Sequence, residues 1–188
     1  MRKLGMKNLV ICGTSGVGKT FLEEELEKRK ISFQLPKYFD RDNRPGERKN
    51  KNISLSKGEF LKIRNEFFFT LEYNGCNYGW KRKDKKKDRP VSLAITLKDL
   101  ESFLKENKDF RPVLLWVDKG DLEIIKERMK KRGDPKEKIE QRMSLAREEL
   151  KNREEYGRIV KENKGEIFKI KNDKTIFDEV IPRIVTLE

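Results

Sequence analysis

Histidine is absent from all 188 residues, and cysteine occurs only twice. Without an imidazole the chain cannot run Ser-His-Asp or Cys-His nucleophilic catalysis, ligate a metal through histidine, or use an imidazole general base. Cys12 and Cys76 are too few for a cysteine-rich zinc site or a disulfide scaffold, which points to a reduced, cytoplasmic setting. Long apolar runs are missing as well. The first, residues 8 to 13, is too short for a signal segment or a membrane span and leads into a glycine-rich loop, so a soluble protein with no membrane partner is expected. Apolar residues make up 35% and charged residues 42%, yet aromatic and β-branched residues recur in short blocks. An ordered domain with a densely charged surface follows. The length suits one such domain with a small mobile appendage, not two of ordinary size.

Positive charge is in excess. Lys and Arg number 46 against 33 Asp and Glu, a net charge of +13, so an anionic substrate or partner is expected. The excess is concentrated: residues 81 to 89 (KRKDKKKDR) carry net +5 and residues 41 to 51 (RDNRPGERKNK) net +3. No aromatic residue interleaves the first run to stack bases, so a solvated loop explains it more simply than a nucleic-acid face.

Apolar runs at 8 to 12, 93 to 97, 113 to 117 and 167 to 170 alternate with helical stretches, as in βαβ units. Phe21, Leu22 and Leu26 fall on one helical face; so do Leu122, Ile125 and Met129, and again Ile139, Met143, Ala146 and Leu150. Residues 59 to 80 differ, reading as a helix and then two extended segments joined through Asn74-Gly75, a hairpin signal. The expected fold is α/β: three α/β/α layers around a parallel sheet, with a small β-containing insertion.

Residues 13 to 20, GTSGVGKT, match the P-loop pattern G-x-x-x-x-G-K-[ST], with an apolar strand before and an amphipathic helix after. Glycines at 13, 16 and 18 let successive backbone N–H groups, from Ser15 through Val17 to Thr20, turn toward phosphate oxygens. The helix N-terminus adds partial positive charge. Lys19 reaches the β- and γ-phosphates, and the Thr20 hydroxyl can ligate Mg²⁺. ATP with Mg²⁺ is therefore the expected donor. A GTPase would carry an NKxD-like reader, and the nearest string, Asn172-Asp173-Lys174, lacks that spacing.

About twenty residues past the loop, Arg41-Asp42-Asn43-Arg44-Pro45-Gly46-Glu47 sets two guanidiniums at a spacing that can clamp a second phosphate bidentately, and Tyr78 in GCNYG can donate to it. Here the chain resembles the guanylate kinase family of nucleoside monophosphate kinases. The strings GTSGVGKT, RDNRPGE, SKGEF, NGCNYG, RMKKRGD, IEQRMSLAREEL and KIKND carry the likeness nearly end to end. The resemblance implies a core (6–36, 90–120 and 160–188), an acceptor-binding insertion (37–89) and a lid (about 130–157). It further implies that Arg41, Arg44 and Tyr78 grip the acceptor phosphate, that Arg132 and Arg142 neutralise the transferring phosphoryl group, and that Asn172 lies near the donor adenine.

Departures from the family pattern fall on the base-reading side. The position of the guanine-reading carboxylate holds Phe69, and the nearest acid, Glu72, should face the other side of its strand. Lys37, Ile53, Trp80 and Thr96 replace further polar groups, and Asp118 after VLLWV is a Walker-B-like acid on a different strand. The strings KYFDRD, NISLSKGEF and NGCNYG are also similar to the pattern of the ribose 1,5-bisphosphate phosphokinases, whereas RPGE is closer to guanylate kinases proper. The expected function is phosphoryl transfer from ATP to a small phosphomonoester, GMP or dGMP first and ribose 1,5-bisphosphate second. A binding module without catalysis is a third reading, opposed by the intact Gly18-Lys19-Thr20.

Overall fold

The first strand, β1 (Asn8–Gly13), is buried on both faces, with Leu9 and Ile11 pointing into one apolar cluster and Val10 and Cys12 into another. Such two-sided burial requires helices or a further layer on each side of the sheet. The computed structural model describes residues 7–44, 46–85, 89–172 and 174–186. Pro45 of the RPGE string, residues 86–88 of the basic run and Asp173 of KIKND lie outside them, as do the ends of the chain.

Five parallel strands form the central sheet: β1, β2 (Phe33–Gln34), β7 (Val91–Ala94), β8 (Phe110–Trp116) and β9 (Glu166–Lys169), in the order β2-β7-β1-β8-β9. Helices α1 (Lys19–Lys28), α4 (Leu122–Lys131), α5 (Lys136–Lys151) and α7 (Ile181–Val185) send apolar residues into the cluster on one face. Helices α3 (Leu100–Glu106) and α6 (Arg153–Glu162) cover the other. The strand order reverses at β1, and the loop that leaves its carboxyl end therefore opens into the crevice where ligands of such sheets bind.

A second sheet is built from residues between 37 and 81: β4 (Asn52–Ser54), β3 (Lys37–Phe39), β6 (Cys76–Lys81) and β5 (Phe67–Tyr73), in that order. β5 and β6 form the expected hairpin. Asn74 (φ 52°) and Gly75 (φ 71°) both take the left-handed region that a two-residue turn of this hand demands. Helix α2 (Lys57–Lys62) starts on a capping box: the Ser56 hydroxyl accepts from the Glu59 N–H at 3.2 Å, and the Glu59 carboxylate accepts from the Ser56 N–H at 2.7 Å. Glu27 on α1 ties the second sheet to the first, pairing with Arg48 at 2.8 Å and with the buried Lys51 at 2.5 Å.

The helical stripes fall inward as expected except at one residue. Leu22 and Leu26 of α1 are fully buried, but Phe21 is 37% exposed and packs edge-on against Phe177 at the mouth of the crevice. A stripe of hydrophobic residues does not fix its own width, and Phe21 lies at the edge of the buried arc. Among the described residues, no helix is long and apolar enough to cross a membrane.

Candidate active site

The loop between β1 and α1 wraps around its own lysine. The Lys19 ammonium donates to the Gly13 carbonyl at 2.6 Å and the Thr14 carbonyl at 2.9 Å, and burial pulls its pKa down while Glu149 works in the opposite direction. Gly13 cannot be replaced here: a Cβ would meet the Leu115 carbonyl oxygen at 2.2 Å, so the loop lies directly on β8. No side chain caps the start of α1, which leaves its first N–H groups directed at whatever fills the crevice.

The crevice is a cleft of about 310 Å³. Gly13, Ser15, Gly16, Gly18, Lys19 and Thr20 form one wall, and Arg41, Arg44 and Tyr78 another. Arg132 and Arg142 reach in from α5 and from the turn that precedes it. Among the described residues five arginines and two lysines line the cleft against two carboxylates, Glu47 and Glu149, an electrostatic setting suited to two phosphorylated molecules.

The arginine wall is preorganised. Arg41 forks onto Glu47 at 2.7 and 2.9 Å, its Nε donates to the Tyr78 hydroxyl at 3.1 Å, and its guanidinium lies 4.1 Å from the Phe39 ring centroid. Burial works against the Arg41 charge, yet the bonds to Glu47 and Tyr78 raise its pKa overall. Glu47 also accepts the Arg44 backbone N–H at 2.8 Å; burial opposes its charge, but these bonds hold its carboxyl below the usual range. Burial lowers the Arg44 pKa, and the nearby charges of Arg142 and Arg41 lower it further. Arg142 itself is buried and held by Asp134 at 2.7 Å, which also pairs with Arg132. Four arginines, Arg41, Arg44, Arg132 and Arg142, thus share two carboxylates, Glu47 and Asp134, and an arriving anion would relieve the repulsion.

The guanylate kinase family model matches residues 5–172. The chain belongs to the guanylate kinase family. A guanylate kinase of Mycoplasmopsis pulmonis is 32% identical over 168 residues, covering 82% of this chain and 86% of that relative. One of Gloeobacter violaceus is 32% identical over 149 residues, covering 76% and 73%. The solved structure of a guanylate kinase from Anaplasma phagocytophilum has the same fold: its TM-score is 0.68 at 15% identity, with 96% of this chain and 86% of that one covered. Membership makes the protein a phosphotransferase of the nucleoside monophosphate kinase type.

In this member of the guanylate kinase family five of the candidate residues lie outside the cleft. Phe69 is buried in an aromatic cluster, 4.8 Å from Phe103 and 6.3 Å from Trp80 between ring centroids, and it does not line the cavity. Leu71 and Tyr73, two and four residues further along the same face of β5, do. Counting by two identifies the face of a strand but not how far along it the cavity reaches. Glu72 is exposed on the opposite face, as parity requires, and so is no part of the lining. The exposed Asn172 uses its side-chain oxygen to accept from the Thr175 N–H at 3.1 Å, and it too is absent from the cavity wall. Val17 is fully buried behind the loop, where its carbonyl accepts from Arg128 at 2.8 Å. The Walker-B-like Asp118 is spent on surface ion pairs with Lys169 and with Arg153 at 3.0 Å. Phe69→Glu would place a buried carboxylate against the rings of Phe103 and Trp80. A stability loss of about 3 kcal/mol is expected on urea unfolding.

Arg128 and Glu149, which also line the cleft, escaped the sequence reading, while Lys37 entered it only as the replacement of a polar group. Arg128 lies one helical turn before Arg132 on α4, Glu149 two turns after Arg142 on α5, and Lys37 opens β3 four residues before Arg41. Helical spacing from the two arginines would have found the first two. Lys37 is coupled to Glu23, a buried carboxylate on α1: burial lowers the lysine's pKa and the glutamate raises it. Burial pushes Glu23 the other way, from 4.5 to about 7, with Lys37 opposing. The folded protein therefore holds a proton there that the unfolded chain has already released. Stability falls as pH rises from about 4.5 to about 7, by about 3 kcal/mol from this group. Urea unfolding of wild type and Glu23→Gln across that range should show wild type losing stability relative to the variant.

Proposed function

We propose that the protein transfers the γ-phosphoryl group of ATP to GMP or dGMP, forming the nucleoside diphosphate and ADP. One observation carries this reading: the glycine loop with Lys19 and the fork of Arg41, Arg44 and Tyr78 face a single cleft, with the arginines of the α4–α5 region between them. Each wall suits one phosphorylated molecule, and in-line transfer needs little more than two phosphates held in register with their charge neutralised.

In this scheme the first turn of α1 and the loop N–H groups, from Ser15 to Thr20, bind the donor phosphates, and Lys19 leaves the Gly13 and Thr14 carbonyls for the β- and γ-oxygens. Arg41, oriented by Glu47, and Arg44 bind the acceptor phosphate with the Tyr78 hydroxyl. Arg132 and Arg142 exchange Asp134 for the transferring group as negative charge spreads over its oxygens. No general base is required, because the acceptor phosphate is already an anion. Leu71, Tyr73, Trp80 and Ile95 offer flat and apolar surfaces beyond the arginines, where a purine ring can stack.

Mg²⁺ fits the donor side. The Thr20 hydroxyl lines the cleft beside the loop, and one carboxylate oxygen there has no hydrogen-bond partner, a donor set of the hard-oxygen kind this ion takes. When bound, the ion would neutralise charge on the β- and γ-phosphates. The chain divides for this cycle into a core of 6–36, 90–120 and 160–188, an acceptor-binding insertion of 37–89 and a lid of about 130–157 that closes to exclude water.

ADP release measured across GMP, dGMP, AMP, UMP, CMP and ribose 1,5-bisphosphate tests the assignment. Turnover confined to GMP and dGMP supports it. Turnover with ribose 1,5-bisphosphate alone would transfer the reaction to a sugar phosphate, and no turnover with any acceptor would leave a binding module.

A further inference from the structure

The carboxylates in and around the cleft are, with one exception, already engaged. Glu47 is forked by Arg41, Asp134 holds Arg132 and Arg142, and Asp118 is tied to Lys169 and Arg153 on the surface. Glu149 is the exception. It lines the cavity together with Lys19, Thr20 and Thr96, and its Oε2 is buried with no hydrogen-bond partner. Among the described residues no arginine or lysine forms an ion pair with it, although the Lys19 charge acts on it through space. Burial raises its pKa.

An unpartnered buried carboxylate oxygen is costly, and it persists where a ligand supplies the missing interaction. The surroundings narrow the class of ligand. A phosphate would be repelled by a carboxylate, and a ribose hydroxyl would leave the negative charge uncompensated. A divalent cation that travels with the donor phosphates satisfies both the charge and the open oxygen. Such ions take oxygen ligands and commonly use one or two carboxylates beside the phosphates. Asp118, the acid expected from the sequence after β8, is elsewhere engaged, so Glu149 is the carboxylate left to serve.

Building on the reading of the loop as a Mg·ATP site, we propose that Glu149 ligates the donor's divalent cation, directly or through one water, together with the Thr20 hydroxyl. The position has a further consequence. Glu149 and Arg142 are seven residues apart on α5, two turns along one face, with the fully buried Ala146 between them. The residue proposed to hold the cation and the arginine that lines the same cleft are thus fixed on one helix face.

Mn²⁺ titration followed by electron paramagnetic resonance, in the presence of ADP, reads the metal without turnover. Glu149→Gln should weaken Mn²⁺ binding to the protein–ADP complex by about 10- to 100-fold, with calorimetric ADP affinity in EDTA changed less than about threefold. Unchanged Mn²⁺ affinity in Glu149→Gln overturns the proposal. An equal loss of metal-free ADP affinity also overturns it, since Glu149 would then act by orienting Lys19. Glu149→Asp keeps a carboxylate and guards against a folding defect: it should hold Mn²⁺ more tightly than Glu149→Gln, and equality between the two counts against ligation. If wild type with ADP binds Mn²⁺ no better than ADP alone, the donor-site reading itself fails.

Discussion

Lys19→Ala is expected to lower phosphoryl transfer by at least about 10³-fold with every acceptor, far beyond what its modest cost to stability could cause. In the structure the ammonium donates to two carbonyls of its own loop, Gly13 and Thr14. In the proposed reaction those bonds are traded for phosphate oxygens in the transition state, where charge moves and a fixed cation is worth most. Removing the lysine strips the buried Gly13 and Thr14 carbonyls of this donor, which should cost the fold about 1–3 kcal/mol on urea unfolding. Single-turnover kinetics with saturating ATP separates this from a simple loss of nucleotide affinity: kcat itself should fall. Turnover at near wild-type rate would remove the loop from the chemistry.

The second large effect is expected at Arg44. Burial and the neighbouring charges of Arg142 and Arg41 already work against its own charge, so it gains most when an anion enters. Arg44→Ala should reduce kcat/KM for the acceptor by about 10²-fold, mainly through KM, and leave ATP affinity within about twofold. Arg41 is the less clean probe, because its loss would also release Glu47 and Tyr78. Arg44→Lys should recover only part of the loss, since an ammonium cannot reproduce a planar fork. Equal weakening of ATP and acceptor would place Arg44 between the two sites instead of on the acceptor side.

Much of this arrangement can be read along the chain because its parts are contiguous. The donor loop is eight consecutive residues between a buried strand and a helix, and its chemistry is local to its backbone. The Asn74-Gly75 hairpin is equally local: two residues tolerant of positive φ bring β5 and β6 together. Arg41 and Arg44 are three residues apart, so their joint clamp is visible without knowing what lies opposite. The reading falters where position depends on depth or on a distant partner. Phe69 and Leu71 share a face of β5, but only Leu71 reaches the cleft, because Phe103 and Trp80 close over Phe69. Phe21 shares a stripe with Leu22 and Leu26, yet it looks onto Phe177 at the mouth of the crevice.

The linear string of residues by itself determined the family, the parallel α/β layering and the two segments proposed to hold phosphate, since each is carried by short contiguous motifs or by apolar periodicity. Tertiary structure alone decided which charges meet. Arg128 and Glu149 come from two separate helices and look like ordinary surface residues in sequence, until packing of α4 and α5 beside the glycine loop brings them into one cleft with Lys37. Asp118 went the opposite way, from candidate metal acid to surface ion pair, because Lys169 and Arg153 reach it first. Coulomb interactions act through a few ångströms of space and not along the chain, and so their partners are fixed only when the chain has folded.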